Sequence, residues 1–219
     1  MKKSKTENSN KKNNFSYLVI KRVFDIFGSL VGLFFLIPFI IAIKVVYMIS
    51  GDFGSIFYTQ TRIGKNGKEF KLFKFRSMVV NADEALEKIL KENKELAKEY
   101  NKNKKLENDP RITSIGKFIR RLSIDELPQV LNILFNQMSF IGNRPYLPRE
   151  RKDMGKYFND IVKTKPGLSG YWQVSLRSRG TFKQRLEMEQ YYSNNCSLWF
   201  DIKIFFKTFI VVFDGRGAQ

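Results

Sequence analysis

The chain of 219 residues has no histidine and a single cysteine, Cys196. Without histidine, the Ser-His and Cys-His nucleophile schemes are closed, and any chemistry falls to carboxylates or a bound metal. One cysteine cannot form an internal disulfide, which fits a reducing compartment. Negative charge is scarce as well: 21 Asp and Glu stand against 39 Lys and Arg, a net charge of +18. Such an excess points to polyanionic partners, whether nucleic acid, phosphorylated substrates or an anionic membrane surface. What the chain has in abundance is phenylalanine, 21 residues. Much of it sits near the two ends, which suggests apolar surface buried in something other than a protein core. The length fits one main domain.

Large apolar side chains are nearly missing from residues 1–16, which read as a disordered basic tail. No small-residue cleavage site follows, so a cleaved signal peptide is not expected. From Ile26 to Ile43 it is charge that is absent. That run is marginal for a transmembrane helix, which needs about 20 residues. Pro38 lies inside it and is expected to kink or break a helix. Both flanks are basic, Lys21 and Arg22 before and Lys44, Arg62 and Lys65 after, which places both on the cytoplasmic side. A helix that enters one leaflet and returns satisfies both observations; an ordinary span remains the alternative.

Further along, Ile56–Gln60 and Glu69–Arg76 flank Asn66-Gly67 and predict a β-hairpin with Lys74 and Arg76 on the returning strand. Residues 81–107 carry apolar positions at helical spacing, with Asn81 or Asp83 as caps. A short helix follows from about Thr113 to Leu122. Leu127, Val130, Leu131 and Leu134 then mark one face of another helix. The last apolar stretch, Leu198–Phe213, holds Asp201, Lys203 and Lys207. It suits a helix lying in the headgroup plane or one docked on the core. The expected division is a tail over 1–16, a re-entrant membrane helix over 17–50, a cytoplasmic catalytic domain over 51–197, and an interfacial helix with a tail over 198–219.

Chemistry centres on Asp125-Glu126, two adjacent carboxylates behind Arg120 and Arg121. A bland reading competes: Ser123-x-x-Glu126 matches a capping box, with Pro128 awkwardly inside the helix. With Asp125 as the cap, Pro128 falls harmlessly in the first turn. A carboxylate pair beside arginines is also what a phosphate-and-magnesium site needs. The basic set Lys74, Arg76, Arg120, Arg121, Arg144, Arg177 and Arg179 would neutralise a diphosphate. Gly170-Tyr171-Trp172-Gln173-Val174 could stack on a base, although core packing is the simpler role for Trp172.

In order, Lys21-Arg22-Val23-Phe24-Asp25, Gln60-Thr61-Arg62-Ile63-Gly64, Lys74-Phe75-Arg76-Ser77-Met78, Ser123-Ile124-Asp125-Glu126-Leu127-Pro128-Gln129, Lys165-Pro166-Gly167 with Gly170–Val174, and Gly215-Arg216-Gly217-Ala218 resemble the bacterial sugar transferases, or monotopic phosphoglycosyl transferases. The resemblance implies an α+β, mostly helical monotopic membrane protein with a re-entrant N-terminal helix broken at Pro38, a small β-hairpin and interfacial helices. It implies transfer of a sugar-1-phosphate from a UDP-sugar to undecaprenyl phosphate, with release of UMP, at the start of capsule, exopolysaccharide or O-antigen assembly. Asp125 would be the nucleophile, forming an aspartyl-phosphosugar. Glu126 would stand beside it, and the pair would hold Mg2+. Lys74, Arg76, Arg120, Arg121, Arg144 and Arg177 would bind substrate. The cytoplasmic face of the bacterial inner membrane is the implied location, with anionic lipids as further partners. No nucleic acid is expected, and a homodimer is allowed. Two positions depart from the family pattern: Asn143 where proline is usual, and Leu176 where glycine is usual. The relatives with several N-terminal spans and an extra domain are not matched, and the chain looks like the catalytic unit alone. The competing class is an inactive basic membrane-bound module for anionic lipid or nucleic acid.

Overall fold

The computed structural model describes the backbone of residues 2–103, 106–176 and 180–213, and side chains over 15–101, 106–176 and 180–211. It is mostly helical with two small sheets. Helix α1, Lys2–Ile49, opens the chain. Helical backbone thus begins inside the stretch expected as a disordered tail, which contains no Gly or Pro to stop a helix extending back from the apolar segment. Residues Phe15–Ile49 form a helix long and apolar enough to cross a membrane.

The expectation of a helix broken at Pro38 is corrected: helical backbone continues through it. A proline in a helix interior costs about 3 kcal/mol. Here Leu33, Leu36, Ile40 and Ile43 pack on the core on both sides of Pro38 and outweigh that loss. The same stripe runs the length of the helix, through Asp25, Ser29, Leu36, Ile43 and Tyr47, all buried. Gly28 and Gly32 let it approach closely, since a Cβ at Gly28 would meet the Phe140 ring at 2.6 Å and one at Gly32 would meet Val130 at 2.9 Å. The opposite face leaves Phe24, Phe27, Phe34 and Ile41 exposed.

Lys21 and Arg22 are not free flanking charges. Lys21 pairs with Asp201 and donates to the Ile141 carbonyl at 2.8 Å. The Arg22 guanidinium donates to the carbonyls of Ile133 and Leu134 at 2.7 and 2.8 Å. Asp25 accepts from Ser139 Oγ at 2.9 Å and from the Phe140 amide at 3.0 Å. The N-terminal motif therefore fastens the apolar helix to the domain.

Strands β1, Phe57–Ile63, and β2, Glu69–Phe75, form the expected antiparallel hairpin, with Phe57 opposite Phe75 and Ile63 opposite Glu69. Asn66 and Gly67 both take positive φ, 58° and 75°, in the connecting turn. The predicted helical stretch 81–107 is two helices, α2, Ala82–Glu92, and α3, Lys94–Asn103. Asn93 leaves helical geometry between them, and its Oδ1 accepts from the amides of Glu95 and Leu96, so it caps α3. Neither expected cap acts at α2: Asn81 makes no capping bond there. Helix α4, Ser114–Arg121, is capped by Thr113, which accepts from the Gly116 amide.

Helix α5, Gln129–Leu134, is only six residues; of the predicted stripe Val130 is buried and Leu127 packs against the core, Leu131 and Leu134 are half-buried, and Gln129, Asn132 and Ile133 are buried as well because the helix is packed on more than one side. A second sheet, unforeseen, pairs β3, Ser139–Ile141, with β4, Gly167–Ser169, in parallel. Short helices α6, Arg151–Met154, and α7, Phe158–Ile161, lie between those strands. Helices α8, Tyr171–Ser175, α9, Phe182–Asn195, and α10, Leu198–Phe213, follow. Helix α10 docks through Asp201 and Ile204 and exposes Trp199, Phe206 and Ile210. The docked reading of that helix holds on the face of Asp201 and Ile204, and the opposite face is apolar and exposed.

Candidate active site

The acidic pair sits at the junction of α4 and α5. The chain leaves α4 at Leu122, and Ser123 takes a left-handed conformation, φ 55°. For a serine this is uncommon and strained. It redirects the chain into one 3-10 turn, Ile124–Glu126, that presents both carboxylates. Ser123 makes no side-chain capping bond, and Pro128 occupies the position before the first residue of α5. Both capping readings of this segment are therefore corrected. Pro128 has no amide to lose at that boundary.

Lys74 faces the pair from β2. Its Nζ lies 2.7 Å from Glu126 Oε1 and 3.7 Å from Asp125 Oδ2. The strand is held there by Asn132 of α5, which is fully buried. Asn132 accepts from the Phe73 amide at 3.0 Å and donates to the Lys71 carbonyl at 2.7 Å. Burial pushes the Asp125 carboxyl above the usual carboxylate range, Lys74 and Arg120 oppose that rise, and the Glu126 charge adds to it. Burial also works against the Glu126 charge, but Lys74, Arg144 and Arg62 together hold its pKa below the ordinary value. Two neighbouring carboxylates are thus driven apart, the pattern expected where they have different tasks.

Arg120 donates from Nε to Ser77 Oγ at 2.8 Å, within electrostatic reach of Asp125. Arg144 lies on the Glu126 side. Lys74, Arg120 and Arg144 are therefore gathered around the dyad as expected. Arg76 is not. It donates to Asp52 Oδ1 at 2.8 Å and the Ser55 carbonyl at 2.6 Å and packs over the Tyr47 ring, tying the hairpin base to the end of α1. Arg121 is exposed and lies over Phe118. Pro38 belongs to the apolar helix, remote in role from the dyad. Arg177, Arg179 and Gly215–Ala218 lie outside the described residues.

Three residues that were not singled out as site residues join the basic side. Arg62 donates to the Pro145 carbonyl at 3.0 Å, and burial, then Arg144, lower its pKa to about 10. Arg185 and Glu189 of α9 are buried beside Trp172 and Arg144. Burial pushes Glu189 up to about 7. A signal for them existed: Arg185, Leu186, Glu189 and Tyr192 share one helical stripe, and all four are buried.

Among the described residues no group of three or more His, Cys, Asp or Glu converges as a metal cage. The two hard carboxylates of the dyad nevertheless fit Mg2+, which commonly takes one or two carboxylates and completes its shell with water and substrate phosphate.

The family model for bacterial sugar transferases matches residues 16–215. The chain is similar to the UDP-galactose-lipid carrier transferase of Erwinia amylovora, 41% identical over 96% of this chain and 44% of that protein. It is similar to the undecaprenyl-phosphate galactose phosphotransferase of Salmonella typhimurium, 41% identical over 91% of this chain and 41% of that protein. Against the exopolysaccharide production protein ExoY of Rhizobium meliloti it is 39% identical over 90% of this chain and 87% of that protein. The chain spans less than half the length of the first two relatives and most of the third. The match runs from the docking motif of α1 through the dyad to the end of α10, and the chain belongs to the bacterial sugar transferase family.

Proposed function

We propose that this protein moves a sugar-1-phosphate from a UDP-sugar to undecaprenyl phosphate, releasing UMP, and so begins assembly of a capsule, exopolysaccharide or O-antigen glycan. The observation that carries the reading is the buried Asp125 with Lys74 and Glu126 against it, in a chain without histidine. An Asp125 oxygen attacks the β-phosphorus of the donor. The bond from that phosphorus to the bridging oxygen breaks, and UMP leaves with the electron pair. An oxygen of the lipid phosphate then attacks the same phosphorus and restores the Asp125 carboxylate, leaving a lipid diphosphosugar. One hard encounter of two polyanions becomes two displacements. A buried carboxylate is weakly solvated and attacks more readily, while Lys74 and Arg120 oppose the rise in its pKa that burial brings. Asp125 and Glu126 would hold Mg2+ together with substrate phosphates, and that ion would offset their charge. Two of the relatives named above carry galactose in their names, so UDP-galactose is the first donor to try.

A monotopic seat on the cytoplasmic face of the membrane suits the chemistry. Docked from Lys21 to Tyr47, α1 could not cross a bilayer upright without drawing the charged domain in with it. Lying along the domain, α1 and α10 would bury their exposed Phe faces at headgroup depth and hold the dyad near the lipid phosphate. The alternative, an inactive basic module, leaves the buried Asp125–Lys74–Glu126 triad without a task. The test is UMP release from a panel of UDP-sugars with undecaprenyl phosphate in nanodiscs. With lipid omitted, sugar-labelled donor should leave hydroxylamine-sensitive label on the protein. Absence of turnover across the whole panel would sink the reading; turnover without label would sink the covalent step alone.

A further inference from the structure

Beyond the dyad, two guanidiniums share one indole. The Arg185 Cζ lies 4.3 Å from the Trp172 ring centre and the Arg144 Cζ 6.0 Å from it. Each cation is attracted to the ring face, yet the two repel one another, and Arg144, after burial, lowers the pKa of Arg185. Among the described residues neither guanidinium has a carboxylate within ion-pair distance. Two buried acids lie near them: Glu150, within electrostatic reach of Arg185, and Glu189 of α9, whose Oε1 accepts from the Arg144 amide at 3.0 Å and whose other polar neighbour is the Tyr146 hydroxyl.

The Nε atoms of Arg144 and Arg185 are buried and unpartnered, as is Trp172 Nε1. Arg185 as a whole is only 7% exposed. A buried, unsatisfied donor costs roughly 1–3 kcal/mol, more when charged. Three such donors in one place, two of them on like charges, have the chemistry to take an anion. A solvated surface pair would not be stacked on an indole, and a structural ion pair would have its carboxylate.

We propose that Arg185, with Arg144 and Trp172, forms a phosphate subsite beside Glu126 that closes around a phosphate monoester or diphosphate. Trp172 holds the Arg185 plane still, and the two forks grip non-bridging oxygens. The reading of the site as a phosphosugar transferase supplies two sources for this phosphate, the nucleotide and the lipid. The subsite itself rests on that reading only for its biological ligand.

The experiment uses the full chain in nanodiscs and three probes: inorganic pyrophosphate, UDP, and a short-chain prenyl phosphate. Arg185→Gln should weaken pyrophosphate binding about tenfold, the value of one lost charged contact of about 1.4 kcal/mol. Loss toward UDP alone assigns the subsite to the nucleotide, and loss toward the prenyl phosphate alone assigns it to the lipid. Arg185→Met guards against misfolding, since removing an unpaired buried cation should leave the melting temperature of the ligand-free protein equal or higher. The same variant should lose the rise in melting temperature that pyrophosphate gives the unmodified protein. The proposal is overturned if Arg185→Met melts lower and still gains the full pyrophosphate shift, or if Arg185→Gln binds all three probes unchanged. Pyrophosphate binding needs no turnover, so failure of the transferase reading and failure of the subsite are separate results.

Discussion

Two buried polar clusters lie in this protein, and they differ in whether they are finished. At the foot of α1, Lys21 pairs with Asp201, Tyr192 donates to Asp201 at 2.7 Å and Tyr17 at 2.9 Å, and Asp25 accepts from Ser139 and Phe140. Among the described residues none of these side chains has a buried atom without a partner. Around Glu126 and Trp172 the reverse holds. Every buried orphan among the described residues falls on β1, the loop after β3, α8 or α9. Both clusters carry charge into the interior, so burial of charge does not mark a site. Incompleteness does: the first cluster closes on itself and holds α1 and α10 to the domain, while the second has buried polar atoms without partners among the described residues.

The comparison breaks most visibly by exchanging one residue from each cluster. Asp125→Asn should lower UMP release by about 10³-fold or more, as expected for loss of a nucleophile. Its melting temperature should stay close to that of the unmodified protein, since Lys74 keeps Glu126 as partner. Retained turnover would remove Asp125 from the mechanism. Lys21→Met should do the opposite. It strands Asp201, at 9% side-chain exposure, without its cation, a loss of about 3–5 kcal/mol. For a chain of this size that lowers the melting temperature by roughly 10 °C. Turnover per folded molecule should hold. If Lys21→Met melts normally, or if it abolishes turnover in protein shown to be folded, the two clusters are not divided as described.

The second cluster has its own signature in pH. Glu189 titrates at about 7 in the folded chain against 4.5 as an ordinary glutamate. Between those values the folded protein holds a proton that the unfolded chain has lost. Stability is therefore full below about pH 4.5, falls as pH rises toward 7, and is flat above. The difference integrates to about 3 kcal/mol. Glu189→Gln should flatten this slope, read by denaturant unfolding at pH 5 and pH 7.5. An unchanged slope would mean that another group carries it.

The sequence made the hairpin legible through its alternation and Asn-Gly turn, and made α10 legible through its apolar run. Three-residue strands such as β3 and β4 carry too few positions for any period to show. The continuous helix through Pro38 was not legible because packing on the domain, absent from local sequence, decides it. Lys21 and Arg22 read as solvent-side flanks only while their partners, more than a hundred residues on, were unknown. The dyad was legible because a carboxylate pair is conspicuous without histidine, and Arg185 was not because a charge on a polar helix ordinarily faces water.

Arg121 sharpens the division by the smallest margin. Its neighbour Arg120 turns inward to Ser77 and the dyad, while Arg121, one position on, projects about 100° around α4 and is exposed. From sequence the two were equal as phosphate binders. Helical geometry separates them, because adjacent residues on a helix cannot share a face. An exposed arginine with only Phe118 beneath it contributes little to stability, within about 0.5 kcal/mol. Arg121→Gln should therefore leave kcat/KM for the UDP-sugar within about twofold, against a loss of about a hundredfold for Arg120→Gln if one catalytic charge contact is worth near 2.7 kcal/mol. Measured side by side, equal losses at the two positions would mean that the substrate reaches across α4, and that the site is wider than the cluster around Asp125.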